Sequence, residues 1–189
     1  MKIELNKEYY FEEATTFNEY LDSFLKVIKD KKIKYIFTND ALFWSENYEY
    51  ADKVYYTYDT NYIVFENNTV LKFSYNFFSI IDISYMNIKN INKNDKECNN
   101  DNFILDLDVK DTKIIDYELE RFNDAYITNP SEESTRPEDG DYFKEIVFHL
   151  KNNKKLCICA ENAESDGYCD IWLENNTTKG IYNGNSHKI

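Results

Sequence analysis

Glycine, proline, histidine and cysteine are all scarce in this chain of 189 residues, which holds four, two, two and four of them. With only Gly140, Gly167, Gly180 and Gly184, the sequence has no G-x-G-x-x-G fingerprint, no phosphate-cradling P-loop and no G-x-S-x-G elbow. Standard nucleotide and serine-hydrolase sites are thereby excluded. His187 lies near the end of the chain, so a nucleophile–imidazole dyad would have to rest on His149. That residue sits in the run IVFHL at the parity of Val147 and reads as a hydrogen-bonded strand histidine. Cys98, Cys157, Cys159 and Cys169 are too few and too scattered for a secreted disulfide framework. Cys157 and Cys159 also lack the C-x₂₋₄-C spacing of structural zinc sites. All four read as small buried hydrophobes, with no metal and no cofactor.

Positive charge is short as well. Lys and Arg number 22 against 35 Asp and Glu, a net charge of −13. A field of that sign repels phosphate backbones and anionic lipid, which argues against nucleic acid and membrane surfaces and for a basic partner. No apolar run approaches the roughly 18–20 residues of a membrane helix, and MKIELNKEYYFEE has no apolar signal region. The expected location is the cytoplasm.

What the sequence does contain is periodicity. Thr16-Phe17-Asn18-Glu19 fits a capping box, and Phe17, Leu21, Phe24, Leu25 and Ile28 recur at helical spacing up to Lys29-Asp30-Lys31-Lys32, whose lysines suit the negative end of the helix dipole. Strand-like runs follow at Lys34 to Thr38, Lys53 to Tyr58, Tyr62 to Glu66, Val70 to Tyr75 and Phe77 to Tyr85. Further runs lie near Tyr142 to Leu150, Lys155 to Ala160 and Tyr168 to Glu174. Asn67-Asn68 reads as a hairpin turn, because Asn tolerates positive φ. Residues 87–102 read as a polar loop, and the tail 175–189 as flexible. The expected fold is a single α+β domain over residues 1–189, mostly antiparallel β-sheet with one N-terminal amphipathic helix. IVFENNTVLKF and IVFHLKNNKKLCI hint at repeated β-meander halves, 1–86 and 103–174.

Two acidic clusters stand out. In FILDLDVKDTKIIDYELE, residues 103–120, Phe103, Leu105, Leu107 and Val109 alternate with Asp106 and Asp108, and Ile115, Tyr117 and Leu119 alternate with Asp116, Glu118 and Glu120. This predicts a hairpin turning through Asp111-Thr112-Lys113, with Val109 against Ile115 and Leu107 against Tyr117. Asp108 would then oppose Asp116 and Asp106 would oppose Glu118, a like-charged face that costs stability and points to partner binding. The second cluster, Glu161, Glu164, Asp166 and Asp170, falls in a connection with Gly167 that could hold a hard cation but lacks the EF-hand pattern.

The stretch GDYFKEIVFHLKNNKKLCICAENAESDGYCDIWLE, Gly140 to Glu174, together with size and charge, resembles small acidic immunity proteins of bacterial polymorphic and contact-dependent toxin systems. The resemblance implies a cytoplasmic neutraliser that binds and occludes its toxin, and it carries over no site residues; the charge adds that the partner is basic, and the residues offer no catalytic group. Two other classes stay open: a divalent-cation module or carboxylate-based metal enzyme using the 161–170 loop, and an assembly protein pairing through edge strands.

Overall fold

Asn61 to Phe65 is buried at every position, as a strand covered on both faces must be, and it lies inside the first of two antiparallel-rich sheets. The computed structural model describes residues 2–10, 22–39, 42–46, 51–57, 60–74, 77–86, 91–93, 97–98, 102–121, 143–161 and 168–174. Its strands are β1 Glu8–Tyr10, β2 Ile33–Thr38, β3 Leu42–Glu46, β4 Ala51–Thr57, β5 Asn61–Phe65, β6 Thr69–Phe73 and β7 Phe77–Asp82. After a 3-10 turn at Ile83–Tyr85 come β8 Ile91–Lys93, β9 Glu97–Cys98, β10 Asn102–Ile104, β11 Ile114–Arg121, β12 Phe143–Leu150, β13 Lys155–Glu161 and β14 Tyr168–Glu174. One sheet has the order β1-β7-β6-β5-β2-β10-β8, the other β11-β12-β13-β14-β4-β3-β9. Only β10 and β8 pair in parallel among the described strands. With one helix, the fold is α+β and mostly antiparallel.

Helix α1 covers residues 22–28 of the described chain; the expected capping box at Thr16 lies outside the described residues. Phe24 and Ile28 point into the core, and the helix stops where Asp30 takes a left-handed conformation (φ 64°) in the place usually held by Gly. The core lies between the sheets. Ile33, Ile36, Ile63, Phe65, Leu71, Phe73 and Phe78 from the first meet Tyr55, Ile114, Ile146, Phe148, Leu156, Ile158 and Ile171 from the second. Cys157 and Trp172 join Ala51, Val54 and Val147 in a smaller apolar cluster on the second sheet's opposite face, so Leu156 to Ile158 of β13 is buried on both sides. Cys169 is buried in the main core.

The halves repeat the same construction. β2-β5-β6-β7 and β11-β12-β13-β14 are successive neighbours in their sheets, each with a bulge after its first residue, at Ile33/Tyr35 and Ile114/Asp116. Both hairpins turn through Asn-Asn with the second Asn left-handed, Asn68 and Asn153 at φ 64°. In each, the first Asn side chain accepts from the N–H two residues on, Asn67 from Thr69 at 3.3 Å and Asn152 from Lys154 at 3.2 Å. Asp111 (φ 62°) is the counterpart of Asp30. At these two corners the halves bond reciprocally: the Asp30 N–H donates to the Ile114 carbonyl (3.0 Å) and the Asp111 N–H to the Ile33 carbonyl (2.8 Å). Lys32 and Lys113 face each other across an isolated antiparallel bridge between them. The relation is isologous, like a two-fold dimer interface inside one chain. The β3-β4 hairpin, which separates β2 from β5 in sequence, crosses over and extends the second half's sheet through β14.

The structure corrects the expected hairpin over 103–120. β10 pairs with β2 in the first sheet, and β11 pairs with β12 in the second. A turn does form, with the Thr112 N–H donating to the Val109 carbonyl (3.2 Å), but left-handed Asp111 turns the chain across the seam rather than back on itself. Residues 105–109 are a ribbon of tight turns, Leu107 N–H to Leu105 O (2.9 Å) and Val109 N–H to Leu107 O (2.8 Å). Such a ribbon also alternates its side chains, so Phe103, Leu105 and Val109 are buried as the parity required. Other differences are smaller. The polar stretch 87–102 contributes the short strands β8 and β9 and the first residue of β10, and the run expected to Tyr85 ends at Asp82, whose carboxylate caps the 3-10 turn. β1 and β3 carried no sequence expectation.

Left-handed backbone at the two corners costs any residue with a Cβ about 1–2 kcal/mol, least for Asp and Asn. Asp30→Ala and Asp111→Ala should therefore each lose about 1 kcal/mol in urea melts, whereas Asp30→Gly and Asp111→Gly should be neutral or stabilising. Gly variants as unstable as the Ala variants would place the effect in the carboxylate instead.

Candidate functional site

Four of the five acidic residues expected at a partner surface, Asp106, Asp108, Asp116 and Glu118, have a specific side-chain environment. Asp106 and Asp108 lie on the tight ribbon between β10 and β11, with side chains 70% and 81% exposed. The ribbon is fixed to the second sheet at its ends. The Asp106 N–H donates to the Tyr55 hydroxyl (2.8 Å), which is carried on β4 with its ring fully buried. Lys53 Nζ donates to Asp106 Oδ2 (3.2 Å) and Lys154 Nζ to Asp108 Oδ2 (2.6 Å). Neither aspartate opposes Asp116 or Glu118, so the like-charge ladder of the expected hairpin does not form. Lys53 is pulled two ways: burial disfavours its charge, while Tyr55 and Asp106 favour it and raise the amine above its ordinary value.

Asp116 and Glu118 lie on β11, which ends its sheet's order among the described strands. Asp116 stands across from His149 and accepts locally from the Tyr117 N–H (3.0 Å). Glu118 stands across from Val147, and its Oε1 is 2.9 Å from His149 Nε2. That nitrogen is buried and is not aligned for a hydrogen bond, so the contact is an ion pair only when the imidazole carries its second proton. Glu120 occupies β11 across from Glu145. On the alternate parity, Tyr117 packs against the core and its hydroxyl donates to Asp22 Oδ1 on α1 (2.6 Å). The carboxylates thus form two groups: a Lys-tethered pair at the seam end of the sandwich and a strand-borne set on the second sheet's margin.

Of the second cluster, Glu161 belongs to β13, and Glu164 and Asp166 lie outside the described residues. Asp170 is not in a loop. It is a buried residue of β14, across from Cys159 on one side and Tyr56 on the other, so it is withdrawn from the solvent-facing ring of oxygens that a cation loop needs. No group of three His, Cys, Asp or Glu able to hold a metal occurs among the described residues. Lys53 and Lys154 were not singled out from sequence as partners of the aspartates, because pairing across about fifty residues leaves no local pattern. No protein-family model matches the chain, and no curated protein or solved structure matches it either.

Chemically, exposed carboxylates on rigid backbone can accept charge-assisted hydrogen bonds from Lys and Arg. Glu8 illustrates this within the first sheet: the Lys72 amine donates to it at 2.8 Å and holds its carboxyl below the ordinary value.

Tyr117 supplies a pH-dependent readout of the α1–β11 contact. Burial, then the hydrogen bond and charge of Asp22, push its hydroxyl well above the ordinary value near 10. Above about pH 10 the unfolded chain releases this proton while the folded chain retains it, so stability falls as pH rises beyond the unfolded value. Burial raises Tyr55 in the same direction. Tyr117→Phe should flatten the loss of stability in urea melts between about pH 9 and pH 11, leaving the Tyr55 contribution. An unchanged slope would mean that the Tyr117 hydroxyl is neither buried nor held by Asp22 in solution.

Proposed function

We propose that the chain is an acidic, protein-binding inhibitor of immunity type, which neutralises a basic protein, a toxin domain, by covering it. The observation that carries this reading is the placement of Asp106, Asp108, Asp116 and Glu118 as exposed carboxylates on ordered backbone of a chain with net charge −13. Two groups of carboxylates held on fixed backbone, within a strongly negative net charge, steer a basic partner in and fix its register. Asp106 and Asp108 offer free carboxylate edges even while tethered, and a partner's Arg can displace or share the lysines bidentately. Glu120 adds a further acidic position on the same strand as Asp116 and Glu118.

Assembly through edge strands is less favoured by the same features. β11 is bulged near both ends and carries alternating acids, the devices that keep edges from pairing with copies of themselves. The cation reading loses Asp170 to the interior of β14.

The test is charge reversal on the strand-borne set, where no lysine is tethered among the described residues. Asp116→Lys with Glu118→Lys should slow association with the basic partner recovered from the native host by roughly tenfold or more at low salt and flatten its salt dependence. Asp106→Asn should act more on dissociation, since it also releases Lys53. Association as fast and as tight as in the unmodified protein would reduce these acids to a solvated surface.

A further inference from the structure

On a chain this acidic, the seam between the halves carries the opposite sign. Lys31, Lys32 and Lys113 line an open cleft of about 320 Å³ with Asp30, Glu66 and Asn67, so amines outnumber carboxylates there. Lys32 and Lys113 are directly across an antiparallel bridge, an arrangement that repels. Glu66 relieves only one of them, and loosely, at 3.9 Å from the Lys32 amine. The amine of Lys31 is half-buried, and burial pulls it below its ordinary value. Among the described residues its partner is the neutral hydroxyl of Thr69 at 3.0 Å, and no carboxylate stands at ion-pair distance from Lys31 or Lys113.

The backbone holds this crowding in place. Lys31 and Lys32 follow left-handed Asp30, Lys113 follows left-handed Asp111, and the reciprocal seam bonds fix the two corners against each other. The Lys32 carbonyl accepts from Glu66 N–H (3.0 Å) and the Lys113 carbonyl from Lys151 N–H (2.8 Å), which ties both lysines to the two Asn-Asn hairpins. The backbones of Lys32 and Lys113 cannot separate without opening the seam.

We propose that this cleft is an anion site, taking a small, multiply charged oxyanion of the phosphate class between Lys31, Lys32 and Lys113. Such an anion turns the Lys32–Lys113 repulsion into attraction and gives the half-buried Lys31 amine a charged acceptor, forming charge-assisted hydrogen bonds from walls contributed by both halves. Asp30 and Glu66 at the rim disfavour a large polyanion such as nucleic acid, in keeping with the overall charge. Binding to the folded chain alone must stabilise it by mass action.

The experiment is thermal unfolding of the full chain against inorganic pyrophosphate, with sodium chloride holding ionic strength constant. A saturable rise in melting temperature is expected. Lys31→Met and Lys113→Met should each raise the half-saturating concentration by roughly tenfold, while Lys110→Met, exposed and outside the cleft, should leave it unchanged. No saturable rise in the unmodified chain overturns the proposal. So does a rise equally retained by Lys31→Met and Lys113→Met, or equally lost in Lys110→Met, since each would assign the effect to overall charge.

Discussion

Two aspartates in left-handed conformation, and the backbone bonds they direct across the seam, are the constraint on which the rest of the structure depends. Asp30 ends α1 and aims β2 into the first sheet; Asp111 ends the ribbon 105–109 and aims β11 into the second. Because Asp30 donates to Ile114 and Asp111 to Ile33, neither strand can shift register without breaking the other's corner. Ile33 and Ile114, the first residues of β2 and β11, are both fully buried, so the same corners deliver apolar side chains into the shared core. Register, sheet assignment and core filling therefore have a common origin.

The exchange of the β3-β4 hairpin adds a second tie. β4 leaves the first half to pair with β14, and it brings Tyr55 into the core and Lys53 beside Asp106. At the end of β4 the chain returns to the first sheet through buried polar residues: Asn61 donates to Thr57 Oγ1 (2.7 Å), Thr57 Oγ1 to the Cys169 carbonyl (3.3 Å), and Thr38 Oγ1 to the Thr60 carbonyl (3.2 Å). Buried polar groups of this kind hold position because leaving them unpaired costs about 1–3 kcal/mol each. Asp106 is held to β4 directly, by its N–H on the Tyr55 hydroxyl and by Lys53 on its carboxylate, which distinguishes a preorganised acidic surface from a flexible acidic tail.

Much of the fold was legible locally and little of it globally. Alternation located β2, β4, β5, β6, β12, β13 and β14 to within two residues at either end, because burial of one or both faces imposes its period on the side chains. Asn67-Asn68 was readable as a turn for the reason the structure gives, a left-handed Asn68. The 103–120 hairpin failed because parity reports which side chains are buried and says nothing of the partner strand: Leu105 and Val109 are buried from a ribbon of tight turns as they would be from a strand. A global signal did exist. Ile28-Lys29-Asp30-Lys31-Lys32-Ile33 and Val109-Lys110-Asp111-Thr112-Lys113-Ile114 share the pattern apolar-Lys-Asp-x-Lys-Ile, and each precedes a β-meander turning through Asn-Asn. Read as paired corners, these segments would have placed β2 and β11 in equivalent positions and would have brought Lys32 against Lys113. Of the acidic positions, Asp106 and Asp108 are legible as surface residues but their lysine partners are not, and grouping Asp170 with the loop acids conflicts with the strand over Tyr168 to Glu174 that contains it.

The proposed partner surface needs a body that does not open piecemeal, and here two sheets share one core through a reciprocal seam. Native-state hydrogen exchange across a urea series tests that claim most directly. Amides of Val64 and Leu71 in the first sheet, Phe148 and Ile158 in the second, and Asp30 and Asp111 at the seam should converge on one opening free energy equal to that of global unfolding. Exchange of one sheet's amides through an opening of clearly lower free energy, with the other sheet still protected, would show two separable halves and contradict the account.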